Sequence, residues 1–280
     1  MGNLADCQKL ENTFSIKLVI FCDLAPLCAK YNQMKETDFT KVKPYNQDEE
    51  KTAQLARMFN TISGKYDQFN DIMTWGLARS WRKSSLLALK KFEPKQILDI
   101  AAGTGDMCIK SYKFLNPEHV TGVDISDKML EMGRFKIEKA GLSDKIDLEV
   151  QDVASLTFAD ACFDAATIAF GIRNFEKLND SLKQIHRVLR PAGHLLILEM
   201  NEPEKGILFK GYQLYTKVFV KLTSRLLSSD TEAYDYLQAS MHAFPNGERL
   251  INILSENGFK LNKYRKFTFG VCSMYLVEKV

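Results

Sequence analysis

Between residues 96 and 200, short apolar runs alternate with segments in which apolar positions recur every three or four residues. The runs predict strands at 96–102, 119–125, 146–151, 163–170 and 194–200. The segments between them predict helices at 106–115, 127–140 and 176–190, with a short one near 153–157. Arg190-Pro-Ala-Gly193 reads as a turn between the last helix and the last of these strands. Strands that are apolar on both faces need helices on both sides of a parallel sheet. Such a sheet binds ligands at the carboxyl ends of its strands.

The flanks follow other patterns. Residues 35–51 are polar, with Pro44 inside, and read as an extended lead-in. From Glu49, the spacing of Leu55, Met58, Phe59 and Ile62 predicts an amphipathic helix that Ser63-Gly64 ends. Lys65 to Met73 is a loop or short helix, and a further helix runs from Leu77 to Lys91, stopped by Pro94. Beyond Pro203, residues 206–228 predict a long helix with an apolar stripe and a rim of Lys210, Lys217, Lys221 and Arg225. A helix near 246–257 and two strand-like runs, Phe259 to Phe267 and Val271 to Val277, close the chain as a hairpin on the sheet edge.

Composition narrows the classes. A 280-residue chain with 45% hydrophobic and 26% charged residues is an ordinary globular protein, and a net charge of +3 implies no nucleic acid partner. Six scattered cysteines, with no C-x-x-C pair, predict neither a zinc site nor a disulfide framework and fit a reducing compartment. Cys108 and Cys162 read as small buried hydrophobes. His186 and His242 stand alone, without metal-ligand spacing, so no metal site is expected. No apolar run is long enough to span a bilayer, and Lys17, Asp23 and Pro26 interrupt the nearest one, Phe14 to Ala29. Residues 1–42 are expected to be an unstructured extension, with Met34 as an alternative start; 43–93 form a helical lid and 94–280 the core.

Candidate chemistry centres on Gln96-Ile-Leu-Asp-Ile-Ala-Ala-Gly-Thr-Gly-Asp106, a buried strand breaking into a tight turn and then a helix. Gly103 and Gly105 let backbone approach a ligand, and Asp124, closing the next strand, is placed to take ribose hydroxyls. A nicotinamide or flavin enzyme would want a third glycine where Cys108 stands. An S-adenosylmethionine enzyme needs instead an acid after the third strand beside the adenine, which Asp152 supplies. Asp99 inside the first strand would cost several kcal/mol without partners, such as a ligand ammonium or nearby amides.

Several separated motifs carry a more specific resemblance. They are Phe59-Asn60, Tyr66-Asp67, Asn70, Gly76 and Trp81-Arg82; then Leu98 to Asp106 and Gly122-Val-Asp-Ile-Ser126. Phe163-Asp164, Ile168-Ala-Phe-Gly-Ile-Arg-Asn174, Arg187 to Gly193, Ala233-Tyr-Asp-Tyr-Leu237 and Phe244-Pro245 follow. From about Lys43 onward the chain resembles the C-methyltransferases of menaquinone and ubiquinone biosynthesis. The resemblance implies a class I, S-adenosylmethionine-dependent α/β methyltransferase domain over 43–280, Rossmann-like, with a seven-stranded, mostly parallel sheet. It places cofactor contacts on Thr104, Asp124, Asp152 and Val153, to which the residue reading adds Asp99, Gly103 and Gly105. Tyr66 and Asp67 fall on a lid over the cofactor, and Tyr234 and Tyr236 either line a quinone cavity or pack in the core.

The implied reaction is methylation of a ring carbon of a prenylated quinol, demethylmenaquinol giving menaquinol. Arg173 is expected to face the quinol oxygen, with a surface ion pair as the alternative; Asn174 joins it or caps the next helix. Ala169 stands where some members carry serine, which removes one hydrogen bond and favours the menaquinone type. The benzoquinol precursor of ubiquinone, a non-catalytic cofactor-binding scaffold and a nicotinamide oxidoreductase remain as rival readings. A cytoplasmic protein is expected, with an anionic membrane surface or a homodimer contact met through 206–228.

Overall fold

A computed structural model describes residues 39–201 and 232–280. Phe39–Val280 forms one compact unit. Three helices lead in: α1 (Lys51–Ile62), α2 (Tyr66–Met73) and α3 (Leu77–Leu89). The alternating core follows as β1 (Gln96–Ile100), α4 (Asp106–Leu115), β2 (His119–Asp124), α5 (Asp127–Lys139), β3 (Ile146–Val150), β4 (Phe163–Ala169), α6 (Leu178–Val188) and β5 (Leu189–Met200). Then come α7 (Glu232–Ala243), α8 (Glu248–Glu256), β6 (Phe259–Phe267) and β7 (Cys272–Lys279).

The seven strands form one sheet in the order β3-β2-β1-β4-β5-β7-β6. β1 to β5 pair in parallel, and β7 joins β5 antiparallel with β6 outside it, the edge hairpin expected from the sequence. Side chains alternate across the sheet. Leu98 and Ile100 face one core with Ile168, Leu182 and Ile185; Ile97 faces the other with Trp81, Leu86 and Leu130. Each of these is 4% exposed or less, so truncating one to alanine should cost about 2–5 kcal/mol. The chain runs outward from β1 through β2 to β3, then returns to β4 and runs the other way. The crevice therefore opens at the carboxyl ends of β1 and β4.

Most expected elements fall within two residues of their places, and four findings differ. β5 starts at Leu189 rather than 194, because the Arg190–Gly193 turn bulges out of the strand. Phe163 pairs with Leu189 and Ala165 with His194, and Ala192 takes a left-handed φ of 59°. The helix α7 around the Ala233–Leu237 motif carries little amphipathic pattern and was not expected. Cys108 is buried, but Cys162 is only half-buried, its thiol donating to the Ala159 carbonyl at 3.1 Å. Finally, Asn174 lies ahead of the cap position of α6, which Lys177 occupies. The expected extension 1–38, the helix at 206–228 and the Tyr234 side chain lie outside the described residues. Among the described residues no helix is long and apolar enough to cross a membrane.

Candidate functional site

The turn after β1 is built by backbone that side chains resist. Ala101 (φ 55°), Gly103 (φ 54°) and Gly105 (φ 74°) are all left-handed. A Cβ added to Gly103 would meet no atom within 4 Å, so this backbone stands open to the cleft beside it. Cys108 fits at the third-glycine position because Gly122 lies opposite on β2. A Cβ there would approach the Cys108 sulfur to 2.8 Å.

A cleft enclosing about 1070 Å³ of free space, mouth included, opens over this turn. Of the expected cofactor residues, Gly103, Asp124, Asp152, Val153 and Tyr66 line it, as does Ala169. Asp124 accepts the Gly103 N–H at 2.8 Å on one oxygen and the Ser126 N–H at 2.9 Å on the other. Burial nevertheless holds its carboxyl above the usual range. One oxygen of Asp152 accepts the Ala154 N–H at 2.9 Å, which fixes the carboxylate at the cleft wall. From the lid, Tyr66 meets Phe59 edge-on, ring centres 6.0 Å apart.

Three expected residues do not line this cleft. The Thr104 hydroxyl donates to Asp67 at 2.6 Å, and Lys136 reaches Thr104, Asp67 and Asp106 at 2.8–2.9 Å, tying α2 to the core. Gly105 caps α4 behind the turn. Asp99 is 1% exposed, its oxygens taken by the Thr167 hydroxyl at 2.6 Å and the Cys108 thiol at 3.1 Å. Neither the ligand ammonium nor the amides expected from the sequence are needed to satisfy it. Burial, opposed by those two hydrogen bonds, pushes the carboxyl up to about 6.

A second cavity, about 690 Å³ of free space with its mouth included, adjoins the first and is mostly apolar. Met58, Phe69, Met73, Met200 and Ala233 contribute to its walls. Phe59, Tyr66, Phe170 and Asn174 line both cavities and so form the partition. Arg173 and Tyr236 face the second cavity. Arg173 is not in a surface ion pair: it is 6% exposed and bonded to Glu199, itself 1% exposed, with Nη1 also donating to the Phe170 carbonyl at 2.8 Å. Its Nε is buried without a partner in the described structure. Burial disfavours its charge, but Glu199 outweighs burial and holds the guanidinium above its ordinary pKa. The Tyr236 hydroxyl meets Asn174 Oδ1 at 3.0 Å; burial raises that phenol well above its usual range.

Sequence reasoning missed Glu199, Glu176 and Lys51. Glu176 accepts the Lys51 and Thr52 N–H groups and the Thr52 hydroxyl at 2.9–3.1 Å, capping α1 from the loop that carries Arg173. Lys51 Nζ reaches the Arg173 carbonyl at 3.3 Å. A signal existed for Glu199, a carboxylate inside the apolar run Leu195–Met200, the same signal that singled out Asp99.

Comparisons with known proteins agree with this geometry. The profile of the ubiE/COQ5 methyltransferase family matches residues 46–279. The chain is 44% identical over 239 residues to a demethylmenaquinone methyltransferase of Bacteroides fragilis, covering 85% of this chain and 98% of that protein. It is 36% identical to a protein of the same name from Porphyromonas gingivalis, over 84% and 97% of the two chains. A ubiquinone/menaquinone biosynthesis C-methyltransferase of Pseudomonas fluorescens is 33% identical over 81% and 90%. Among solved structures, a SAM-dependent methyltransferase from Aquifex aeolicus shares the fold, with a TM-score of 0.51, 16% identity and coverage of 70% and 89%. The [4+2]-cyclase SpnF does so at 0.62, 13%, 81% and 96%. By this match and these identities the chain belongs to the ubiE/COQ5 methyltransferase family.

Proposed function

We infer that this chain methylates a ring carbon of demethylmenaquinol, giving menaquinol, with S-adenosylmethionine as the methyl source. The observation that carries the inference is the shared wall: a nucleotide-type cleft and an apolar cavity meet at Phe59, Tyr66, Phe170 and Asn174. Two substrates held on either side of that wall would react without a costly encounter.

The residues present fit the methyl donor. Open backbone at Gly103 leaves room for its chain, the free lone pairs of Asp124 face where ribose hydroxyls would lie, and Asp152 and Val153 bracket the adenine end. When bound, the donor supplies an electrophilic methyl on a sulfonium. Everything else falls to the protein. Arg173 keeps its full charge because Glu199 neutralises the cost of burying it, and its Nε remains to donate to the quinol oxygen. Stabilising that oxygen as a phenolate makes the neighbouring ring carbon nucleophilic. The Asn174 carboxamide, held by the Tyr236 hydroxyl, orients the same ring from the partition. The apolar remainder of the cavity accepts the ring and the start of its prenyl chain and excludes water.

Incubating the purified protein with S-adenosylmethionine and reduced demethylmenaquinone should give the mass increase of one methyl group on the quinone. Cells lacking the protein should accumulate demethylmenaquinone. Cofactor binding without methylation of any quinol would reject catalysis in favour of a scaffold. Turnover confined to benzoquinols would move the reaction to the ubiquinone branch.

A further inference from the structure

The turn that carries the acid of the cleft begins where strand pairing ends, at Asp124 and Val150. Its internal hydrogen bonds are local. Asp124 accepts the Ser126 N–H at 2.9 Å, and the Ser126 hydroxyl accepts the Met129 N–H at 3.3 Å as the cap of α5. These bonds fold the turn on itself. Two contacts tie it to the rest of the cleft: the Gly103 N–H on one side, and α1 on the other.

The contact from α1 is made by Asn60, in the last turn of that helix. Its Oδ1 accepts the Ser126 hydroxyl at 2.8 Å and the Lys128 N–H at 3.2 Å. A backbone N–H only donates, so the oxygen of this carboxamide must be the atom that faces α5. The hydroxyl proton goes to Asn60 and a lone pair is left for Met129, so Asn60 completes the cap from outside the helix. Ser126 is fully buried, and losing this acceptor would leave its hydroxyl unsatisfied. Asn60 lines neither cavity, yet its neighbour Phe59 lines both. Ile125, inside the turn, lines the cleft and packs against the cluster that holds Leu55 and Met58 of α1.

We propose that Asn60 is a positioning residue for the methyl donor: through Ser126 it sets the direction of the Asp124 carboxylate and holds it in register with Phe59 in the partition. The proposal rests on the reading of this cleft as the donor site. A carboxylate reads a ribose hydroxyl only when its own direction is fixed, and the strand that carries Asp124 has ended. A contact that merely fastened the lid would change stability and leave the selection of the ribose alone.

The test is calorimetric binding of S-adenosylhomocysteine and of its 2′-deoxy analogue, at a temperature where every variant is folded by circular dichroism. Wild type should prefer the ribose form by on the order of tenfold. Asn60→Ala should bind S-adenosylhomocysteine about five- to tenfold more weakly and lose most of that preference. Asn60→Asp keeps an acceptor in place beside a helix N-terminus that favours negative charge, and should restore both to within about threefold. Ser126→Ala breaks the same contact from the other side, and adding Asn60→Ala to it should weaken binding no further. A lower melting temperature in Asn60→Ala with unchanged affinity and unchanged preference overturns the proposal and leaves Asn60 a fastening of the lid. Wild type that does not bind S-adenosylhomocysteine, or does not tell it from the deoxy analogue, strikes the donor reading at Asp124 and the proposal with it.

Discussion

The two cavities on either side of Asn174 are built by opposite means. The cleft proposed for the donor is lined largely from the ends of consecutive strands and their turns: Ala101 and Gly103 after β1, Asp124 on β2, Asp152 after β3, Ala169 on β4. Its polar groups are positioned by nearby backbone. The cavity proposed for the acceptor draws on α1, α2, α3, the loop after β4, β5 and α7, elements up to about 180 residues apart in the chain. Its charge is positioned by one buried ion pair. A cleft made from local turns tolerates change elsewhere, whereas a cavity made from remote elements depends on single contacts. Substitutions in the two should therefore fail in different ways.

The largest effect is expected at Arg173. On the proposed role of Arg173 as donor to the quinol oxygen, Arg173→Ala should lower turnover on the order of 10²–10³-fold. It also strands Glu199 as a buried uncompensated charge, costing about 3–5 kcal/mol of stability. The double variant Arg173→Met/Glu199→Met should recover most of that stability without recovering activity. Cofactor affinity measured by calorimetry should stay near wild type throughout. A single variant that loses cofactor binding as well would break the division between the cavities.

Asp124→Ala should do the reverse. Losing the charge-assisted hydrogen bonds proposed to the ribose should weaken S-adenosylmethionine binding by on the order of 10²-fold. Stability should fall less than at Arg173, by about 1–3 kcal/mol, because the Gly103 amide left behind borders the cleft and only the buried Ser126 amide loses its acceptor. Unchanged affinity would mean that the ribose lies elsewhere.

This contrast also explains what could be read in the sequence. The cleft over the glycine turn was legible because Gly103, Asp124 and Asp152 each stand at or just beyond the end of a strand that hydrophobic pattern reveals, and strand ends converge in a parallel sheet. Thr104 shows the limit: its position was found, but its hydroxyl turns to Asp67 and Lys136 because α5 brings a lysine there. The acceptor cavity was legible only where a family motif named its residue, as at Arg173 and Asn174. Glu199 and Lys51 meet those residues through folding of β5 and α1 onto one loop, and no short-range spacing encodes that meeting. The chemistry of Glu199 was visible even though its partner was not.

Asp99 gives an effect of intermediate size with an unusual sign. Its folded carboxyl is raised to about 6 from an ordinary 3.8, so the folded state holds its proton more tightly than the unfolded chain. Asp99 therefore costs nothing below about pH 4, and its penalty grows as pH rises through 6, reaching at most about 3 kcal/mol. Relative to wild type, Asp99→Asn should gain stability across that window and hold a constant offset above it. Urea midpoints for the two proteins that stay parallel from pH 4 to 7 would show that Thr167 and Cys108 fully support the anion.

The smallest effect joins the two cavities. Glu176 caps α1 while Lys51, the first residue of that helix, reaches the Arg173 carbonyl, so the lid and the acceptor loop hold each other. Burial would raise the Glu176 carboxyl, but the Thr52 and Lys51 amides outweigh it and lower its pKa. A lowered carboxyl stabilises the fold above its unfolded pKa of about 4.5 and loses that contribution as pH falls. Glu176→Ala should cost about 1 kcal/mol, the usual worth of a helix cap. The loss should be local, with faster hydrogen exchange over residues 51–62 and slow exchange kept in β1 and β4. Because α1 supplies Phe59 to the partition, loosening it should raise the KM for donor and acceptor together. A variant that changes the acceptor KM alone would show that the lid belongs to one cavity and not to both.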